Sequence, residues 1–238
     1  MSMKKSAVRD LISVHPQEFR DDETMFDRLV RMQHFELPTR LLDVTTNPLV
    51  ALYFASAEHK LNGVHEDGKV QALFLPEERQ RYFDSDRVSC MANLANLTVD
   101  EKKAMAKAYR LEKREFNKQA VVERLHWFVR IEKPHLLPQI DPDHLQQPVF
   151  VKPKMSNRRI IAQSGAFLIY GARRLTEKQV DTDLRISRAI LPAARKNAIR
   201  NQLERLGIHA SSLFPEIDKA AVFIMNRYKN SASSRSAS

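Results

Sequence analysis

The stretch 33–55, QHFELPTRLLDVTTNPLVALYFA, constrains the fold of this 238-residue chain more than any other. It is mostly apolar, yet Arg40 and Asp43 stand three residues apart inside it. An arginine left unpaired in an apolar interior is strongly destabilising, so Arg40 needs a partner. Asp43 is the nearest in sequence. Asp43 has a second task open to it, accepting from main-chain N–H groups around Thr45 and Asn47. In one reading a buried Arg40–Asp43 pair locks a connector between two helices. In the other, Asp43 orients Arg40 into a cleft, where the guanidinium grips a phosphate or carboxylate with two parallel hydrogen bonds. The two readings are compatible.

The flanks of the stretch read as helices. Met25, Phe26, Leu29, Val30 and Met32 recur at helical spacing over 21–35, with Asp21 or Asp22 to cap the start. Leu37-Pro38 ends that helix, because the residue before proline leaves the helical region. Asn47 and Pro48 suit the cap and first position of a second helix over 48–55. That helix is apolar all round, which predicts burial on most sides. Asp67-Gly68 signals a turn before a strand over 69–75. Thr98 and Glu101 have capping-box spacing and open a long charged helix that runs through AKAYRLEKREFNK. An amphipathic helix over 121–131 follows, with Trp127 read as a core anchor. Prolines 134, 138, 142, 148 and 153 mark an irregular segment holding one short strand at 149–151.

Further on, 159–162 and 166–170 are β-prone, with Ser164-Gly165 between them as a hairpin turn or bulge. A strand is expected over 184–191, a helix over 192–206 stopped by Gly207, and a last helix over 215–228. The tail NSASSRSAS is low-complexity and reads as disordered. Helices come first, then scattered strands, then helices. That order predicts an α+β fold: one domain with a small mixed or antiparallel sheet flanked by several helices. The expected organisation is an extension over 1–15, the domain over 16–229 and a tail over 230–238.

Composition narrows the chemistry. Five glycines are few for a Gly-rich phosphate loop, and no P-loop, Rossmann or GxSxG pattern occurs. Cys90 is the only cysteine, and the eight histidines show no HExxH spacing, so no metal site is expected. The start MSMKKSAVRD lacks an apolar core of the kind a secretory signal needs, and no apolar run is long enough to span a membrane. A cytoplasmic location is the expectation. The net charge is +10, and 185–238 holds ten Lys and Arg against three Asp and Glu. Two readings stand for that excess. One is a solvated charged surface. The other is a nucleic-acid-binding face in which Arg195, Lys196, Arg200 and Arg205 meet phosphates. No aromatic residue is interleaved with these cations, which disfavours base readout.

The residues 32–55, MQHFELPTRLLDVTTNPLVALYFA, resemble the central signature of the FRG domain family. Two later blocks, RRIIAQSGAFLI at 158–169 and SSLFPEIDKAA at 211–221, are similar to its later motifs. The resemblance runs from about Pro16 to about Tyr228. The aromatic-Arg-Gly segment that names the family has no counterpart; Phe19-Arg20-Asp21 is nearest in letters. Members occur in bacteria and phages, often near mobile-element and defence functions. On pattern the family invites comparison with ADP-ribosyltransferases, an analogy that alone does not establish chemistry. The resemblance implies an NAD-using toxin or defence effector acting on a nucleic acid or protein, with a partner protein in its complex. His34, Arg40 and Gln163 would then be catalytic. Gln33, Thr39, Asp43, Thr45 and Gly165 would line the NAD site. The block RRIIAQSGAF departs in one respect, because it offers no glutamate to stabilise an oxocarbenium-like ribose. A non-catalytic protein-interaction domain, with the signature purely structural, is the other class.

Overall fold

The computed structural model describes residues 5–155, 157–171 and 184–215. The expected helix over 215–228 and the tail lie outside the described residues. In chain order the elements are α1 (Lys5–Val14), α2 (Met25–His34), β1 (Leu41–Thr45), α3 (Pro48–Ala55), β2 (Lys60–Leu61), β3 (Val64–His65), β4 (Gly68–Phe74) and β5 (Gln80–Tyr82). Then come α4 (Asp86–Asn93), α5 (Val99–Ala108), α6 (Lys113–Asn117), α7 (Ala120–Glu132), β6 (Val149–Lys152), α8 (Arg158–Ala162) and β7 (Gly165–Ile169). The series closes with β8 (Arg185–Leu191), α9 (Lys196–Arg205) and α10 (Ala210–Leu213). Helices take the larger share of the chain and the eight described strands are short, so the fold is α+β. The chain divides into two compact units. One draws on Met1–Asp43, Leu75–Pro153 and Phe167–Leu184, the other on Val44–Phe74, Lys154–Ala166 and Arg185–Ser238.

The first unit packs α2, α4 and α7 around Phe26, Leu29, Met32, Met91, Leu125 and Val129. Thr24, rather than Asp21 or Asp22, caps α2, exchanging bonds with Asp27 in a capping box. Asp22 instead takes a two-pronged bond from Arg31, at 2.8–3.0 Å. The expected connector after Pro38 is a strand. LLDVT forms β1, which heads a four-stranded sheet in the order β1-β7-β6-β5. β6 runs parallel to β5 and antiparallel to β7, so the sheet is mixed. The long charged helix expected after Thr98 stops at Ala108 and resumes as α6. Tyr109 and Phe116 stack with ring centroids 5.9 Å apart. In an unbroken helix, seven residues of rise would separate them by about 10 Å, so the break lets the rings meet. Trp127 is 54% exposed, not a core anchor. Val122, Leu125 and Val129 take the inner face of α7, and Arg124 lies 4.8 Å over the indole outside.

In the second unit Asn47 caps α3 by accepting from the Leu49 N–H, with Pro48 at the first position. Only Val50 and Tyr53 of α3 are buried, in a cluster with Leu203 and Leu213; Leu49 and Phe54 stay exposed. One short helix, α9, cannot cover every side of an eight-residue apolar helix, and the expected all-round burial does not occur. The β-prone run 159–162 is helical. Asn157 caps it by accepting from the Arg159 N–H, and this local bond overrides the preference of Ile160 and Ile161 for strand. Ser164, at φ 46°, turns the chain from α8 into β7. β4 and β8 pair in antiparallel register from Gly68↔Leu191 to Phe74↔Arg185. A Cβ at Gly68 would lie 2.1 Å from the Ala55 carbonyl oxygen, so glycine lets β4 start against the end of α3.

Candidate functional site

In the first unit, Arg40 is bound by main chain rather than by Asp43. Its Nη1 donates to the carbonyls of Met91 (3.1 Å) and Tyr170 (3.2 Å). Burial pushes the guanidinium down to about 10, with Tyr109 opposing. The Arg40 main chain is held as well, its carbonyl accepting from the Tyr170 N–H. Asp43 faces solvent on β1. Thr39 Oγ1 donates to Gln33 Oε1 at 2.7 Å and accepts from the Leu41 N–H, which fixes the approach to β1. The His34 ring meets Phe35 edge to face. Lys102, half-buried on α5, is pushed down to about 8 by burial first and by the Arg40 charge next.

The other signature residues belong to the second unit. Thr45 Oγ1 donates to the Gln163 carbonyl at 2.8 Å and accepts from the Asn47 N–H, taking the turn-closing task considered for Asp43. Gln163 Nε2 donates to the Leu213 carbonyl at 3.0 Å, and Gly165 begins β7. Of the four cations on and beside α9, Lys196 is buried and donates to the Ala57 carbonyl. Arg200 lies 4.7 Å over the Tyr53 ring. Arg195 and Arg205 are exposed.

The first unit also holds a cleft of about 740 Å³ between α4, the end of α7 and the proline-rich segment that follows. That segment is pinned in place. Asn117 and Ile140 exchange two bonds of 2.8 Å, and His126 Nε2 lies 2.9 Å from the Leu136 carbonyl oxygen. Arg87 stands on the wall. Its Nε donates to the His144 carbonyl (3.0 Å) and its Nη2 to Gln147 Oε1 (3.2 Å). A guanidinium carries five N–H donors, so three remain. Burial and then the repelling charges of Arg81 and Arg79 push Arg87 down to about 10. Burial lowers the neighbouring His144 as well, with Arg87 adding to the shift.

Of the acids lining this cleft, Asp141 accepts from the Asp143 N–H and opposes the lowering of Arg87, while Asp86 and Glu132 are engaged elsewhere. Asp86 pairs with Lys133 at 2.7 Å, and Lys133 also donates to the Asp84 carbonyl. Glu132 accepts from the Met25 N–H and from Asn93 Nδ2, while burial raises its carboxyl. Burial pushes the Cys90 thiol up to about 12, so at neutral pH it is no nucleophile. The remaining wall is largely apolar, with Pro134, Leu136, Leu137, Ile140 and Leu145. An apolar hollow with one oriented cation suits an anion that carries an apolar or aromatic body. No group of three His, Cys, Asp or Glu among the described residues could hold a metal ion. Sequence reasoning missed Arg87 and His144. They stand 57 residues apart, and only the run of prolines hinted at a structured loop.

The fold and this geometry define an α+β protein with a ligand-sized cleft in one unit. Residues 2–63 match the family model of the FRG domain, in line with the resemblance at 32–55. The match begins ahead of Pro16, takes in Phe19-Arg20, and covers about a quarter of the chain. No curated protein and no solved structure matches the chain. No helix among the described residues is long and apolar enough to cross a membrane.

Proposed function

We propose that this FRG-domain protein is a ligand-binding module that takes a nucleotide-class anion in the cleft of its first unit, with Arg87 as the anion contact. One observation carries the reading. Arg87, charged at neutral pH, is held in place by two neutral acceptors while burial and two further arginines outweigh Asp141 and Glu78 and keep its value below the usual arginine range, and an entering phosphate would offset that cost. The apolar wall offers a surface for a base. The signature supports a scaffolding role instead: Arg40, Gln33 and Gln163 direct their polar groups to protein partners.

NAD belongs to the same ligand class. An ADP-ribosyl transfer, and a place in a toxin or phage-defence complex, rest on the family analogy alone. Calorimetric titration of the full chain with NAD, ATP and GTP tests the reading. At least one should bind, and Arg87→Gln should weaken it about tenfold or more in a protein that still melts cooperatively, the loss expected for a charged hydrogen-bond partner. Arg40→Gln should lower stability and leave the affinity intact. Absence of binding by all three nucleotides, or an Arg87→Gln protein that binds like the parent, overturns it.

A further inference from the structure

The charge of the molecule is divided unequally between its units. Among the described residues the second unit holds eleven Lys and Arg against four Asp and Glu, an excess of seven. The first holds twenty of each and is neutral. Part of the second unit's positive charge is taken up by packing, at Lys196, Arg200 and Arg159, the last 5.0 Å over the Phe214 ring. The β4–β8 ribbon is different. Every residue of β8 from Arg185 to Ile190 is exposed, as are Lys69, Gln71 and Phe74 of β4. A two-stranded ribbon with open faces is marginal by itself, so a partner that covers it would stabilise it.

The register decides what one face presents. Directly paired residues share a face, and successive pairs lie on opposite faces. Lys69↔Ile190, Gln71↔Arg188 and Leu73↔Ile186 therefore form one face. Gln71 and Arg188 stand side by side at its centre, with Lys69 one step along. Among the described residues no side-chain hydrogen bond or ion pair engages Lys69, Gln71 or Arg188, whose main chains belong to the ladder. Seven residue pairs at about 3.3 Å each give a ribbon roughly 23 Å long.

We propose that this face is a binding site for duplex DNA, entered through the major groove. The B-form major groove is about 12 Å wide and admits a two-stranded ribbon, whereas that of A-form RNA is too deep and narrow. Arg188 and Gln71 are the side-chain types that pair with guanine and adenine edges, Lys69 reaches phosphate, and the isoleucines meet thymine methyls. The site lies in the second unit and does not involve the cleft of the first.

Fluorescence anisotropy with the full chain tests this, using labelled duplexes of about 20 base pairs, one DNA and one RNA, at about 50 and about 200 mM salt. DNA should bind more tightly than RNA. Lys69→Ala with Arg188→Ala should weaken DNA binding about tenfold or more and reduce the log–log salt slope by roughly 0.9, the share of the one phosphate contact, Lys69. Arg188→Lys keeps the charge and the ribbon, and should recover most of the non-specific affinity, which guards against a folding artefact in the double variant. Three outcomes overturn the proposal. These are no DNA binding, equal binding of the two duplexes, or a loss that follows Arg195→Ala with Arg205→Ala and spares the ribbon variant.

Discussion

At Arg40 a part-buried charge has no acidic partner among the described residues, and two carbonyl oxygens hold it. Removing the side chain leaves the Met91 and Tyr170 carbonyls without that donor and opens a gap between α4 and the end of β7. Arg40→Ala should cost roughly 2–4 kcal/mol, read from urea unfolding of the full chain. A change within experimental error would mean that the guanidinium is dispensable to the fold. Cys90 makes a second test. Its thiol, pushed up to about 12 chiefly by burial, should resist iodoacetamide at about pH 8 in the native protein and react fully in denaturant. Equal rates in the two states would contradict its burial. The sequence showed that Arg40 needed a partner. It could not show which, because main-chain carbonyls 51 and 130 residues away leave no mark in the local pattern.

Among the elements, capping chemistry was the legible part. Asn47-Pro48 opens α3, Thr98 and Glu101 close a capping box on α5, and Gly207 at φ 80° ends α9. Each signal is complete within four residues, so distant packing does not alter it. Elements whose identity depends on a partner elsewhere were less legible. LLDVT is a strand because β7 lies beside it, and 158–162 is a helix because of a cap one residue upstream. On α5, Lys102 carries a consequence for pH. Its folded-state value, about 8, lies below the ordinary lysine value, so the unfolded chain binds more protons between the two. Stability from this residue is therefore present above the ordinary lysine range and lost as pH falls through about 8. Melting temperature should rise between about pH 7 and about pH 9.5, and Lys102→Gln should flatten that rise. A variant whose pH profile keeps the parent's slope would place the titration elsewhere.

For the whole molecule, the charge excess was visible as a C-terminal run of cations, and that reading placed it on α9. The fold redistributes its meaning. Lys196 goes into the interior, Arg200 covers Tyr53, and Lys69 joins Arg188 across a ribbon register that no local pattern encodes. The cleft was less legible still, since its walls come from α4, the end of α7 and the segment after it. The two units are also interleaved, each drawing on three separate spans of chain. The matched stretch 2–63 cuts across that weave: it contains α2 but not α4, β1 but not β7, and α3 but not α9. Severed after residue 63, those segments would lose the neighbours that shield their apolar sides, so the portion by which kinship is recognised is not an autonomous folding piece.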